Sequence, residues 1–323
     1  MITTIDSAAL GDGQEITVGL PGSGAGAGAG AGAGSGGGAG HAPVHDRPIG
    51  AIISDTRHLS ADQIEKILAH QRAKGIRFGE AAIALGYAST DDVLFALAQQ
   101  FHYPYAAEEQ RKLSPELVTL NQPFSQQAEA FRAIRTQLIS RIFTEDAPQR
   151  RALAVISPRP GDGKTYFTAN LAIALAQLGG RTLLVDADMR GPRQDQVFNL
   201  PHVSSGLSGI LSGRTEQSAV QKVPGVPSLF VLPVGITPPN PLELIERPAF
   251  GLLMRELVGK FDHVIVDTPA ATYGADCQVV AARCGAALVM ARKNTSRIAA
   301  LQDLTAAIAN GPAILAGVIV NEY

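Results

Sequence analysis

The sequence is poor in cysteine and carries no excess of basic charge. Cys277 and Cys284 are its only cysteines, and neither forms a CxxC pair or a cysteine–histidine pattern. This usage argues against a disulfide scaffold and against a zinc site. Lys and Arg total 27 against 29 for Asp and Glu, which gives a net charge of −2. Because nucleic-acid-binding domains normally show a basic excess, we expect no nucleic-acid partner.

Long apolar runs are also lacking. The longest, at residues 286–291 and 314–320, have the length of strands and fall well short of the ~18 residues of a membrane span. Residues 1–6 show neither the basic start nor the apolar block of a signal peptide. We therefore expect a soluble, cytoplasmic chain that can still dock on a membrane protein.

Glycine, in contrast, is concentrated in one short tract. Residues 22–40 contain 11 of the 34 glycines, most of them alternating with alanine. Such a tract cannot bury enough side-chain surface to offset the entropy lost when it becomes ordered. Residues 1–46 are therefore predicted to form a disordered Gly/Ala-rich leader.

Residues 47–105 contain two similar halves, in which Gly50 and Gly79 occupy equivalent positions 29 residues apart. A serine in each half is suited to cap a helix, since an acidic residue follows it in the first turn. Apolar residues then recur at i, i+3 and i+4 spacing. This pattern predicts a small all-helical domain, and the proline-bearing segment 106–124 is predicted to be a linker.

From residue 125 to residue 323, apolar runs of strand length alternate with helical patterns. The runs lie at residues 152–156, 182–185, 229–233, 264–266, 286–290 and 317–320. Continuously apolar strands that alternate with helices are typical of a parallel sheet covered on both faces. The sequence therefore predicts an α/β domain with a mostly parallel sheet.

A phosphate-binding pattern, Pro158-Arg-Pro-Gly-Asp-Gly-Lys-Thr165, follows the first of these strands and precedes a helix. It matches the P-loop consensus except that Pro158 replaces the first glycine. Gly161 and Gly163 allow backbone N–H groups to surround phosphate oxygens, and the helix directs its positive end at them. Lys164 is expected to reach the β- and γ-phosphates, and Thr165 to offer its hydroxyl to Mg²⁺. The order of strand, loop and helix favours a nucleotide site over a chance glycine-rich turn.

Carboxylates follow two other predicted strands. Asp186 and Asp188 come after one strand, and Asp267 comes after another. Each aspartate alone would be read as a helix cap or turn residue, but the carboxyl ends of parallel strands meet in one crevice. We therefore expect Asp267 to support Mg²⁺, and Asp186 or Asp188 to orient water or accept a hydroxyl proton.

With these motifs, residues 125–323 resemble the bacterial tyrosine kinases (BY-kinases) of polysaccharide export, and more closely the chain-length-determinant kinases of exopolysaccharide clusters (EpsG type). The motifs are the P-loop, Asp186-Ala-Asp-Met-Arg190, Asp267-Thr-Pro269, Glu129-x-x-Arg132-x-x-Arg135 and Pro238-Pro-Asn-Pro-Leu-Glu243. The resemblance implies a MinD/ParA-like P-loop NTPase fold. It also implies an ATP- and Mg²⁺-dependent protein-tyrosine (auto)kinase that regulates exopolysaccharide chain length and export.

The resemblance also assigns roles to individual residues. It makes Asp186 the general base and counts Lys164, Asp188 and Asp267 among the catalytic groups. Mg²⁺ would be held by Thr165, Asp186 and Asp267. The nucleotide would be bound by Gly161, Asp162, Gly163, Lys164, Thr165, Tyr166 and Asn321.

Two kinds of partner are implied by the same resemblance. The helix that carries Glu129, Arg132 and Arg135 would assemble subunits into a homo-oligomer, although these residues alone would be read as a solvated helix face with weak ion pairs. A transmembrane polysaccharide chain-length determinant (co-polymerase) would activate the kinase. The chain would then be peripheral at the inner membrane through that partner.

The tyrosine-rich tail of these kinases is missing from the sequence. The chain ends at Asn321-Glu-Tyr323, so Tyr323 is the candidate terminal phosphoacceptor, and the other tyrosines are scattered. This departure favours an alternative function, a ParA/MinD-like nucleotide-switched assembly ATPase without tyrosine kinase activity.

Residues 77–100 resemble the N-terminal domain of type II secretion and pilus ATPases (the MshE type), some of which bind cyclic di-GMP. The resemblance implies a cyclic di-GMP site at Arg77, Gly79, Gly86 and Gln100. The first half of the repeat departs from this pattern at the arginine position, where Pro48 stands in place of the equivalent of Arg77. A purely structural or docking helical unit is the alternative.

Overall fold

The computed structural model describes residues 2–5, 48–100, 114–144, 150–201, 206–214 and 219–322. Four helices make up the N-terminal unit as far as it is described, and their starts repeat at the 29-residue offset found in the sequence. The helices are α1 (Ile49–Thr56), α2 (Ala61–Lys74), α3 (Phe78–Ala84) and α4 (Thr90–Gln100). The starts of α1 and α3 differ by 29 residues, as do those of α2 and α4.

Both serines predicted as caps act at the starts of these helices. Oγ of Ser60 accepts a hydrogen bond from the backbone N–H of Gln63 at 3.3 Å, and Oγ of Ser89 accepts one from that of Asp92 at 3.1 Å. Each cap satisfies an N–H group that has no partner within its helix. The four helices bury a small core of Ile52, Ile53, Ile67, Ala81, Ala82, Ala88 and Ala96.

The second unit is an α/β domain built on an eight-stranded sheet. Its strands are β1 (Ile2–Ile5), β2 (Ala152–Ile156), β3 (Thr182–Asp186), β4 (Gln221–Lys222), β5 (Leu229–Leu232), β6 (His263–Asp267), β7 (Gly285–Arg292) and β8 (Ile314–Asn321). Their spatial order is β1-β8-β7-β2-β6-β3-β5-β4. The six inner strands are parallel, whereas β1 and β4 pair antiparallel at the two edges.

Helices cover both faces of the sheet, which confirms the prediction made from the apolar runs. They are α5 (Val118–Asn121), α6 (Gln126–Arg141), α7 (Lys164–Ala176), α8 (Gln194–Val197), α9 (Leu207–Leu211), α10 (Pro241–Glu246), α11 (Pro248–Lys260), α12 (Asp276–Cys284) and α13 (Ile298–Ala309). Side chains of β2 alternate between two cores: Leu153 and Val155 face α6 and α7, whereas Ala154 and Ile156 lie in the core of the other face. No helix within the described ranges is long and apolar enough to cross a membrane.

The domain begins earlier than the sequence predicts. Leu117, Val118 and Leu120 are buried in the core beside α6 and α7. The backbone N–H of Thr119 donates to Oδ1 of Asn170 on α7 at 2.9 Å. The predicted linker of residues 106–124 is therefore wrong for residues 114–124, because the apolar residues between Pro115 and Pro123 pack against the domain. Residues 106–113 lie outside the described ranges.

A second difference concerns the predicted disordered leader. Residues 2–5 form the edge strand β1, which pairs with β8 from Ile2 opposite Asn321 to Ile5 opposite Val318. β-branched residues favour strands, and an added strand covers the edge that β8 would otherwise expose. The rest of the leader lies outside the described residues.

Candidate active site

The loop between β2 and α7 depends on two glycines in left-handed conformations. Gly161 and Gly163 have φ values of +82° and +97°, which glycine adopts without strain. A Cβ atom added at Gly163 would also lie only 2.4 Å from Nδ2 of Asn321, at the end of β8. That Nδ2 group donates to the carbonyl oxygen of Asp162 at 3.3 Å. The φ value of Gly163 therefore favours glycine, and the absence of a Cβ atom there leaves room for Asn321 to bond to the loop.

The side chain of Asp162 braces this loop. It is buried, and its two oxygens accept hydrogen bonds from the backbone N–H of Arg159 at 3.0 Å and from Oγ of Ser296 at 2.9 Å. A carboxylate held in this way stabilises the loop conformation. The contribution of Asp162 to a nucleotide site is thus to shape the loop that carries Gly161 and Gly163.

Lys164 occupies the first position of α7 and is buried. Its Nζ atom donates to Oγ of Ser157 at 3.0 Å, and that hydroxyl donates in turn to the carbonyl oxygen of Arg159 at 2.8 Å. These contacts hold the ammonium group against the loop, where a P-loop lysine meets phosphate oxygens. Ser157 is a site residue that the sequence pattern did not reveal.

Asp186 and Asp267 end two neighbouring parallel strands and stand directly opposite each other in the register of β3 and β6. Both side chains are buried. Asp186 accepts hydrogen bonds from the backbone N–H groups of Asp188, Arg193 and Gln194 at 3.1 to 3.2 Å. The structure therefore brings together the two carboxylates that the sequence assigned to different strands.

The electrostatics of this pair favour a bound cation. Burial, together with the charge of Asp267, raises the pKa of Asp186 well above its ordinary value. Burial also raises the pKa of Asp267 to about 6, although the charge of Lys164 and hydrogen bonds from Thr165 and Gln194 oppose the shift. Two buried carboxylates repel each other, and a divalent cation would relieve that repulsion.

Asp188 has a different surrounding from the buried pair. Its Oδ1 atom accepts the backbone N–H groups of Arg190 at 3.2 Å and Gly191 at 3.0 Å. Arg190 in turn donates from Nε and a terminal nitrogen to the two oxygens of Asp276, both at 3.1 Å. Asp188 thus shapes the loop after β3, whereas Asp186 is the carboxylate that lies opposite Asp267.

Gln194, at the start of α8, is the main site residue that the sequence interpretation missed. Its Nε2 atom donates to Oδ2 of Asp267 at 2.9 Å and to Oγ1 of Thr168 at 2.8 Å. No motif or periodicity marks this glutamine. The one available signal is its place eight residues after Asp186, in the loop that leaves the carboxyl end of β3.

A cavity of about 410 Å³ adjoins the loop on the side of β8. It is lined by Pro115, Glu116, Val118, Gln127, Gly161, Gly163, Tyr166, Arg292 and Asn321. Tyr166 and Asn321 were predicted to contact the nucleotide, and both line this cavity together with the two loop glycines. The described residues thus place a cavity of ligand size beside the predicted phosphate site.

The predicted oligomer residues lie on α6 and make contacts within the subunit. Arg132 pairs with Glu129 and donates to the carbonyl oxygen of Pro123. Arg135 donates to the carbonyl oxygen of Ala174 at the end of α7, at 2.8 Å. The side chain of Glu129 is 66 % exposed. Arg135 therefore has a role in packing α6 on α7, and a role in assembly stays a prediction.

The cyclic di-GMP site and the terminal phosphoacceptor, both inferred from the sequence, stay predictions. Gly79 is buried against Val93, whose side chain an added Cβ would approach to 2.8 Å, so helix packing alone requires this glycine. Gly86 has a φ of +73° in the turn before α4. Arg77 and Gln100 lie at the N-terminus of α3 and in the last turn of α4. Tyr323 lies outside the described residues.

Comparisons with known proteins agree with this geometry. Residues 153–323 match the family model of the CobQ/CobB/MinD/ParA nucleotide binding domain. The chain is 37% identical over 175 residues to a putative tyrosine-protein kinase CapB of Staphylococcus aureus, a match that covers 54% of this chain and 75% of that protein.

Solved structures give the same likeness. The crystal structure of the chimerical protein CapA2B2 is similar with a TM-score of 0.59 and 31% identity, over 70% of this chain and 97% of that one. The kinase domain of the Escherichia coli tyrosine kinase ETK is similar with a TM-score of 0.58 and 30% identity, over 65% of this chain and 80% of that one.

Proposed function

The chain belongs to the CobQ/CobB/MinD/ParA family of nucleotide-binding domains, and from this premise we propose that it is an ATP- and Mg²⁺-dependent protein-tyrosine kinase that regulates exopolysaccharide chain length and export. The observation that carries the proposal is the convergence of Lys164, Asp186 and Asp267 at the carboxyl ends of adjacent strands. Similarity to proteins named tyrosine-protein kinases specifies the acceptor as tyrosine.

The loop and the adjoining cavity fit ATP. Backbone N–H groups around Gly161 and Gly163 and the start of α7 offer donors to phosphate oxygens. Lys164 adds a positive charge beside them. The cavity lined by Tyr166 and Asn321 extends from the same glycines and would take the nucleoside.

Thr165, Asp186 and Asp267 fit Mg²⁺. The described residues contain no cluster of three or more His, Cys, Asp or Glu residues that could hold a metal. Mg²⁺ does not need one, since it commonly uses one or two carboxylates and completes its shell with waters and substrate phosphates. When bound, the ion supplies charge that stabilises the phosphoryl group during transfer.

Asp186 has the environment of a general base. Burial and the neighbouring charge of Asp267 raise the pKa of Asp186 above its ordinary value, which makes the carboxylate a stronger proton acceptor. In the proposed reaction the acceptor tyrosine oxygen forms a bond to the γ-phosphorus, the bond to the β,γ-bridging oxygen breaks, and the tyrosine proton passes to Asp186. The products are phosphotyrosine and ADP.

The partners follow from the same proposal. The kinase would be activated by a transmembrane chain-length determinant and held at the inner membrane through it. Assembly into a homo-oligomer would use the exposed Glu129 on α6, with Arg132 and Arg135 beside it. The family resemblance supports both partners.

The test uses the purified chain with ATP and Mg²⁺, with and without the cytosolic segment of the membrane partner, probed for phosphotyrosine. We expect a signal that the partner increases and that Lys164→Met abolishes. Lys260→Met is the matched control, because Lys260 is exposed and pairs with Glu256 on α11. ATP-dependent assembly without any phosphotyrosine would instead establish the nucleotide-switched ATPase.

A further inference from the structure

Gln194 is fully buried where α7, β6 and the loop after β3 meet. Besides Asp267 and Thr168, its Nε2 atom contacts the carbonyl oxygen of Thr165 at 3.3 Å. The carbonyl oxygen of Thr165 can only accept, and an ionised Asp267 can only accept, so the amide must present its N–H groups to them. The orientation of the Gln194 side chain is thereby determined by its neighbours.

The same residue also contacts the second carboxylate of the site. Its backbone N–H donates to Oδ2 of Asp186 at 3.1 Å, beside the N–H of Arg193 at 3.2 Å. One residue therefore holds Asp267 through its side chain and Asp186 through its main chain. A change in the position of α8 would move both carboxylates.

The carbonyl oxygen of the Gln194 amide, unlike its nitrogen, lacks a hydrogen-bond donor among the described residues. This Oε1 atom is also buried. An unpaired buried acceptor is costly, so such atoms call for a partner that the protein itself does not supply. A water molecule carried by a metal ion is a suitable donor, since Mg²⁺ usually keeps several of its waters.

We propose that Gln194 is a positioning residue of the metal site, which orients Asp267 and Asp186 for Mg²⁺ and accepts a hydrogen bond from a water of the ion through Oε1. The inference rests on the proposed function, because it presumes a Mg²⁺–nucleotide complex at this site. It extends the site beyond the motif residues to the start of α8.

The test compares nucleotide affinity with and without Mg²⁺. Binding of ATP is measured by calorimetry in Mg²⁺ and in EDTA, for the wild-type chain and for Gln194→Met, which keeps the side-chain length but cannot donate. In EDTA we expect equal affinities, because Gln194 does not contact the loop glycines. In Mg²⁺ we expect the variant to lose roughly tenfold or more of the wild-type gain, the worth of a hydrogen bond to a charged group.

Two further variants make the result specific. Gln196→Met changes an exposed glutamine of the same helix and should keep the full Mg²⁺ gain. Thr168→Val removes the hydroxyl that receives the Gln194 amide and should lose part of it, which decides the question if Gln194→Met does not fold. A purely structural role would weaken binding equally in Mg²⁺ and EDTA.

The two proposals fail in different ways. A full Mg²⁺ gain in both Gln194→Met and Thr168→Val, or an equal loss with and without Mg²⁺, would overturn the role of Gln194 and leave the kinase proposal standing. Absence of any Mg²⁺ gain in the wild-type chain would overturn the Mg²⁺-dependent function and this inference with it.

Discussion

Substitution of Gly163 by alanine should disturb the phosphate loop in two separable ways. The φ of +97° is unfavourable for any residue with a Cβ, at about 1–2 kcal/mol. The new Cβ would also lie 2.4 Å from Nδ2 of Asn321, the far end of a side chain that can rotate away. Rotation breaks the hydrogen bond from Asn321 to the carbonyl oxygen of Asp162, which is worth about 1 kcal/mol.

The expected total for Gly163→Ala is therefore about 2–3 kcal/mol of unfolding free energy. Asn321→Ala alone should cost about 1 kcal/mol for that hydrogen bond, and the double variant should lose it only once. A double-mutant cycle by urea unfolding should then show that the double variant is about 1 kcal/mol more stable than the sum of the single changes predicts. Strict additivity would refute the proposed contact between the loop and β8.

Three other perturbations have defined outcomes. Burial raises the pKa of Asp267 from 3.8 to about 6, so its ionisation destabilises the nucleotide-free fold as the pH rises through that range, by about 3 kcal/mol in full. In thermal unfolding, Asp267→Asn should therefore become more stable relative to wild type between pH 4 and pH 6. A stability difference between the two proteins that does not change with pH would contradict this. Arg135→Ala should lower the melting temperature, because it removes the hydrogen bond from Arg135 on α6 to Ala174 on α7. Glu129→Ala should leave the melting temperature unchanged and lower only the oligomer mass measured by light scattering. Asp276→Asn should cost about 1–3 kcal/mol in urea unfolding, because it removes the charge of a buried carboxylate that holds Arg190 at both oxygens; an unchanged midpoint would show that the pair contributes nothing.

Sequence reasoning located the phosphate loop and the buried carboxylates because their signals are local. Lys164 and Thr165 belong to one contiguous motif, and Asp186 and Asp267 each follow an apolar strand, so the rule for parallel strand ends places them together. That rule predicts a shared crevice, whereas the structure shows that β3 and β6 are neighbours and that the two aspartates stand opposite each other.

Roles that depend on tertiary contacts cannot be predicted from such local signals. Gln194 meets Asp267 across 73 positions of sequence, and no spacing along the chain announces such a contact. The prolines predict a linker at residues 106–124, although Leu117 and Leu120 within it are buried in the core. Prolines mark breaks in regular structure, but they do not show whether the residues between them pack.

The most direct test of the central claim follows the γ-phosphate itself. The wild-type chain is incubated with Mg²⁺, the partner segment and ATP labelled at the γ position; ATP labelled at the α position serves as the control. The protein is then hydrolysed for phosphoamino-acid analysis. We predict γ-label in phosphotyrosine, none from α-labelled ATP, and no label in Asp186→Asn. Release of labelled inorganic phosphate with no phosphotyrosine would contradict the kinase assignment.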